Sequence, residues 1–253
     1  MKAESRLPAM KLDILAIAAH PDDVELGCAG TLLAQMALGK KVGILDLTRG
    51  ELGTRGTPEG RIQEARNAAD ILGIEVRDNV GLADGFFKND EVHQRAIIPY
   101  IRKYQPDIVL ANAVEDRHPD HGRGGQLIYE SCFYSGLRMI ETYDAAGNQQ
   151  EAWRPKNVFH MIQDRYIKPD FVVDITPFWE KKVSAMLAFE SQFFVPKENP
   201  MDDSEPQSYI SSPEFMDFIK ARAEEFGHAI GVKYGEGFTS RRQLGVQDIS
   251  VFY

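Results

Sequence analysis

Leu12–Ala19 reads LDILAIAA and runs directly into His20-Pro21-Asp22-Asp23. A nearly continuous apolar run that ends in a polar turn describes a strand covered on both faces, as in a parallel sheet. The segments that follow keep a β-α rhythm. Thr31–Leu38 reads as a helix, Lys41–Leu47 (KVGILDL) as a second strand, and Pro58–Leu72 as a helix with proline at its start and Gly73 closing it. A strand over Glu75–Val80, a helix over Glu91–Lys103, a strand over Asp107–Ala111 and a helix over Gly124–Tyr134 continue the alternation. Strands at Val158–Ile162 and Phe171–Ile175 and helices at Pro177–Gln192 and Pro213–His228 complete it. The pattern implies a Rossmann-like three-layer α/β/α fold with a mainly parallel sheet. One domain over residues 1–253 is expected, with 1–10 as a flexible extension. Between Val195 and Pro213, four prolines among acidic and polar residues predict a surface loop, with an active-site lid as the sharper alternative.

Composition narrows the partners. With 29 Lys and Arg against 38 Asp and Glu, the formal charge of −9 argues against a nucleic-acid backbone or an anionic membrane. Cys28 and Cys132 are far apart and lack C-x-x-C spacing, so no disulfide framework is expected, and a reducing cytoplasm fits. No run approaches the roughly 18 apolar residues of a membrane span.

Ligands of open parallel sheets bind beyond the carboxyl ends of the strands. His20-Pro21-Asp22-Asp23 stands there, and Glu115-Asp116-Arg117-His118-Pro119-Asp120-His121 follows the strand at Asp107–Ala111. Each residue alone has a plain structural explanation as a cap or turn. Two His-Pro-Asp units at corresponding strand ends are harder to dismiss, because burying so many ionisable groups is costly without a metal or a reaction. A catalytic zinc takes about three His and carboxylate ligands and keeps one position open. His20, Asp23 and His121 supply that set, and Asp22, pointing away from Asp23 in the same turn, is placed as general base. The same donors accept iron(II), manganese or cobalt. His118 is expected to act as a protonated group on the oxyanion, oriented by Asp120. In the glycine-rich loop Thr48–Gly56, Glu51 is expected to bind sugar hydroxyls, and Arg55 and Arg117 to clamp a substrate carboxylate. His93, His160 and His228 fall at ordinary structural positions.

Five segments resemble the PIG-L/LmbE family of N-acetylglucosaminyl deacetylases: AHPDDVELGCAGTL at 19–32, DLTRGELGTRGT at 46–57, EDRHPDH at 115–121, FESQF at 189–193 and GVKYGEGFTSR at 231–241. The likeness is to its bacillithiol-biosynthesis branch, which also has the acid of HPDDE one residue later, here Glu25 after Val24. The resemblance implies zinc on His20, Asp23 and His121, Asp22 as base, and His118 at the transition state supported by Asp120. Relatives of the mycothiol pathway carry a tyrosine where this chain has Asp116. The implied substrate is N-acetylglucosaminyl malate, hydrolysed to glucosaminyl malate and acetate, and the implied assembly is a homo-oligomer, a trimer or hexamer. Two rivals keep the same residues: deacetylation of another N-acetylglucosamine compound, and amide hydrolysis of a thiol conjugate. A sugar-binding module with a structural metal is the non-enzymatic rival, and the base beside an incomplete ligand set counts against it.

Overall fold

The computed structural model describes residues 10–193 and 205–252. Residues 1–9 of the expected N-terminal extension and the 195–204 portion of the expected loop lie outside the described residues. Among the described residues, seven strands form one sheet.

Strand β1 (Ile14–Ala18) is buried throughout. Its side chains alternate between two cores. Ile14, Ala16 and Ala18 join one apolar cluster, while Leu15 and Ile17 join another. That double burial is why the run carries no polar alternation. β1 pairs in parallel with β2 (Val42–Asp46) and with β4 (Ile108–Ala111). β3 (Val76–Asn79) lies beyond β2, and β5 (Asn157–Met161) runs parallel to β4. The full order is β3-β2-β1-β4-β5-β7-β6, with β6 (Phe171–Asp174) and β7 (Gly235–Ser240). Strand order therefore reverses between β1 and β4, and their carboxyl ends open the crevice where open α/β sheets bind ligands.

Helices cover both faces. α1 (Asp23–Gly27), α2 (Ala29–Ala37), α3 (Pro58–Leu72), α6 (Trp179–Leu187) and α7 (Pro213–Ala229) contribute to the first cluster or pack beside it. α4 (Glu91–Tyr104) and α5 (Pro119–Tyr134) contribute to the second. This is the three-layer α/β/α arrangement that the sequence implied. No described helix is long and apolar enough to cross a membrane.

Among the elements that depart from expectation are β7, α5 and α6. β7 was not foreseen, because GEGFTS lacks apolar alternation; it pairs antiparallel with both β5 and β6. Its glycines let α7 lie close: a Cβ at Gly235 would come within 2.9 Å of the Gly227 nitrogen. α5 begins at Pro119, not at Gly124, with His118 as its cap and proline at the first helical position. Close packing requires a glycine in this helix, since a Cβ at Gly125 would stand 2.8 Å from the carbonyl oxygens of Asn112 and Ala113. α6 stops at Leu187, and the residues to 193 fold into turns instead of continuing to Gln192.

β7 also braces the turn that carries the HPDD motif. Glu236, buried, accepts hydrogen bonds from the main-chain N–H groups of Gly30 (3.0 Å) and Thr31 (2.7 Å) at the start of α2. Lys182 Nζ donates to Glu236 Oε1 and to the Leu26 carbonyl, both at 2.6 Å. Removing one member of such a buried pair leaves the other charge uncompensated. Glu236→Ala is expected to lower unfolding free energy by about 3–5 kcal/mol in denaturant titration, with Lys182→Met/Glu236→Leu recovering most of the loss. A loss in the single variant no larger than that of a surface substitution would refute the brace.

Candidate active site

β1 delivers His20 to the crevice, and the chain turns at once into α1. Asp22 makes this turn at φ 130°, a left-handed conformation that L residues rarely adopt. Three contacts hold it: the Leu26 N–H donates to its carbonyl at 2.9 Å, Arg61 Nη2 donates to Oδ2 at 2.9 Å, and the same guanidinium nitrogen reaches the Pro21 carbonyl at 3.3 Å. Arg61 comes from α3 and is buried. The strained turn aims successive carboxylates in different directions, Asp22 toward Arg61 and Asp23 toward the histidines.

Asp23 is the hub. Its Oδ1 lies 3.0 Å from His121 Nε2 and accepts from Gln163 Nε2 at 2.9 Å. Its Oδ2 accepts from the His20 N–H and from Asn112 Nδ2, both at 3.0 Å, and lies 3.6 Å from His20 Nδ1. Asn112 and Gln163 follow β4 and β5, so three strand ends orient one carboxylate. His121 sits in the first turn of α5, and its Nδ1 meets Asp116 Oδ2 at 2.5 Å, a contact that fixes ring and tautomer.

His118 caps α5, its Nδ1 accepting from the Asp120 main-chain N–H at 3.3 Å. The Asp120 carboxylate does not reach the His118 ring. It lies 3.4 Å from His20 Nε2 and accepts from the Gly85 N–H at 2.8 Å and from Arg123 Nη1 at 2.7 Å. As the second residue of the helix, Asp120 offers its main-chain N–H to the cap and sends its side chain elsewhere.

Asp84, which the sequence reading passed over, stands 3.0 Å from His20 Nε2 and accepts from the Leu52 N–H at 2.9 Å. It follows β3 at the same sheet edge, and that position was the available signal. Glu51 fastens this arrangement, accepting from the Asp84 and Arg49 N–H groups at 2.9 and 3.2 Å. Arg55 is turned away from the crevice: Nε donates to the Ser191 carbonyl at 2.9 Å and Nη1 to the carbonyls of Glu205 and Pro206. Arg117 does line the crevice, half-exposed, with Nε on Asp164 Oδ2 at 2.7 Å and its guanidinium over the Tyr209 ring at 4.4 Å. His20, Asp22, Asp23, His118 and His121 converge on one cavity of about 550 Å³.

The electrostatics show what the site lacks. Burial disfavours a charged His20, yet the Asp120, Asp23 and Asp84 carboxylates hold its pKa well above the ordinary value. Burial likewise opposes charge on His121, but Asp23 and Asp116 carry it up to about 9. Burial raises Asp23, and His121 and His20 overcome this and hold it well below the usual range. Burial pushes Asp22 up against the pull of Arg61. Burial, then the neighbouring His20 and His121, lowers His118. A cluster that draws protons onto two buried imidazoles is short of positive charge, and a divalent cation among the same donors would supply it. Two donor sets are close enough for an ion: the ring nitrogens of His20, His118 and His121 lie within 4.8 Å of one another, as do the ligand atoms of His20, Asp84 and Asp120; Asp23, expected as a ligand, belongs to neither set.

A family model described as PIG-L, GlcNAc-PI de-N-acetylase, matches residues 15–132, the stretch that holds both motifs. The conserved protein TT1542 of Thermus thermophilus superposes with a TM-score of 0.79 at 35% identity, covering 93% of this chain and 98% of that one. The chain is a PIG-L family deacetylase. Diacetylchitobiose deacetylase of Thermococcus kodakarensis is 28% identical over 235 residues, 88% of this chain and 81% of that protein. Probable N-acetyl-alpha-D-glucosaminyl L-malate deacetylase 2 of Bacillus anthracis is 27% identical over 199 residues, 71% of this chain and 81% of that protein.

The strain at Asp22 can be measured free of its charge. Asp22→Gly and Asp22→Ala both remove the carboxylate, but only glycine adopts φ 130° at little cost. The glycine variant is expected to be the more stable of the two by about 1–2 kcal/mol in chemical unfolding. Equal stabilities would mean that the turn is unstrained.

Proposed function

We propose that this deacetylase hydrolyses the acetamide of N-acetylglucosaminyl malate, releasing glucosaminyl malate and acetate for bacillithiol biosynthesis, with a divalent ion, zinc, held by His20, Asp23 and His121. The observation that carries the reaction is Asp22, a buried carboxylate fixed by Arg61 beside the His20, Asp23 and His121 cluster and facing the same cavity as His118. Asp23 is preferred to Asp84 and Asp120 as the third ligand because it touches both histidines. Its remaining hydrogen bonds are to neutral amides and a main-chain N–H, whereas Asp120 is already paired with Arg123. When bound, the ion supplies Lewis acidity that makes water a nucleophile near neutral pH.

The residues of the chain do the rest. Asp22 takes the proton of the attacking water as the C–O bond forms. His118 receives a main-chain N–H at Nδ1, which leaves its ring proton on Nε2, and that N–H is donated to the developing oxyanion. A neutral ring so placed is a hydrogen-bond donor, in contrast to the protonated His118 that the sequence suggested. The proton collected by Asp22 passes to the nitrogen as the C–N bond breaks. Asp84 and Asp116 hold the His20 and His121 rings in place. Arg117 is the cation available at the rim for a malate carboxylate.

Diacetylchitobiose is the second reading. It is favoured by the relative that spans 88% of the chain and by half-exposed Tyr209, an aromatic face at the cavity rim on which a second sugar ring would stack.

Metal-free and zinc-reconstituted protein should be assayed on both substrates by acetate release. Zinc is expected to restore activity, with the malate conjugate preferred; preference for diacetylchitobiose would select the second reading. Asp22→Asn is expected to lower kcat by about 10²–10⁴-fold while metal content stays stoichiometric. Native turnover in that variant would remove Asp22 as base. Arg117→Ala is expected to reduce kcat/KM for the malate conjugate by about tenfold or more and to spare diacetylchitobiose; equal effects on both would reject the carboxylate contact.

A further inference from the structure

A second cavity opens beside the first, beneath α7. It measures about 70 Å³, and Leu26, Arg117, His121 and Ile210 line both spaces. The two cavities thus meet at a proposed metal ligand, His121, next to the position where the amide carbonyl must lie for Asp22 and His118 to act on it.

The two spaces differ in character. The larger offers carboxylates, main-chain groups and a tyrosine hydroxyl, which suit a sugar. The smaller is walled by Ile162, Phe215, Phe218, Ile219, Ala223 and Phe226. Gly235 and Gly237 of β7 line its floor, where Phe226 and Ile162 pack close over Gly237. The polar side chains at its edge already have partners inside the protein. Gln163 donates to Asp23 and accepts from Asn112 and the Ala113 N–H, Lys182 is bonded to Glu236, and Arg222 donates to the Gln163 and Asp164 carbonyls at 2.7 Å. Apart from Arg117 and His121, which it shares with the larger cavity, the space offers a sugar or a malate little to bond, whereas a hydrocarbon chain would lose only water.

We propose that this cavity is an acyl-chain subsite and that the enzyme removes short straight-chain N-acyl groups, of about four carbons, as well as acetyl. The proposal rests on the amide-hydrolase reading above. The chemistry is unchanged: water adds to the acyl carbon, the C–N bond breaks, and the proton taken from water goes to the amine, giving butanoate and the free amino sugar. At about 70 Å³ the space is small, so it suits a short acyl extension and no long chain.

The test compares N-acetyl, N-butanoyl and N-octanoyl forms of the same glucosamine conjugate with the zinc-reconstituted protein. The butanoyl compound is expected to be hydrolysed with kcat/KM within about tenfold of the acetyl compound, and the octanoyl compound at least about 100-fold more slowly. Ala223→Leu narrows the cavity and is expected to lower the butanoyl-to-acetyl ratio about tenfold or more. Because that variant can fail by overpacking, the wild-type protein provides a second readout. Butanoate is expected to inhibit acetyl hydrolysis at lower concentration than acetate does. Hydrolysis of the acetyl compound with no detectable butanoyl turnover would overturn the subsite and leave the deacetylase reading intact. An unchanged ratio in folded Ala223→Leu would also overturn it. If neither compound is hydrolysed, the deacetylase reading fails and the subsite with it.

Discussion

The Asp23 carboxylate joins what the topology brings together. It lies between two imidazoles delivered by separate strand ends, His20 after β1 and His121 in the first turn of α5 after β4, and amides beyond β4 and β5 set its angle. An unpaired carboxylate at this depth would be severely destabilising. Its presence requires positive charge nearby, and the arrangement accepts that charge as protons on histidine or as a cation held between them. The same requirement orders the surroundings: Asp84 and Asp120 face His20, and Asp116 faces His121.

This geometry is expensive to maintain, and the fold distributes the cost. The turn at Asp22 is strained, but it ends against a buried arginine from α3 and leads into a helix pair clamped by Glu236 and Lys182. Rigidity around the Asp22 carboxylate thus comes from α3, α6 and β7, elements distant in sequence from the turn. The cavity above it is polar where a sugar would rest and apolar where α7 crosses the glycines of β7, so one crevice presents two chemically distinct walls.

Much of this was legible in the sequence. The doubly buried β1 and the placement of HPDD and HPDH at strand ends follow from apolar runs and their polar terminations. What stayed hidden depends on contacts between distant segments. Asp84 is 64 residues from His20, Arg61 is 39 from Asp22, and Glu236 is 206 from Gly30. No local period marks a helical arginine as the partner of a carboxylate on another element. Arg55 shows the reverse error: a glycine-rich loop at the correct edge suggested a substrate clamp, but its guanidinium closes on the main chain around Ser191 and Pro206. Residue type revealed the chemistry available at this edge, while direction required the tertiary structure. β7 stayed hidden for a related reason, because its glycines serve the approach of α7 and leave the strand without an apolar signature.

Anomalous diffraction at the zinc edge, from crystals of the reconstituted protein, tests the central claim most directly. The expected result is one strong peak about 2.0–2.2 Å from a ring nitrogen of His20, a ring nitrogen of His121 and a carboxylate oxygen of Asp23. A peak held instead by Asp84 and Asp120, or no ordered ion in the crevice, would contradict it.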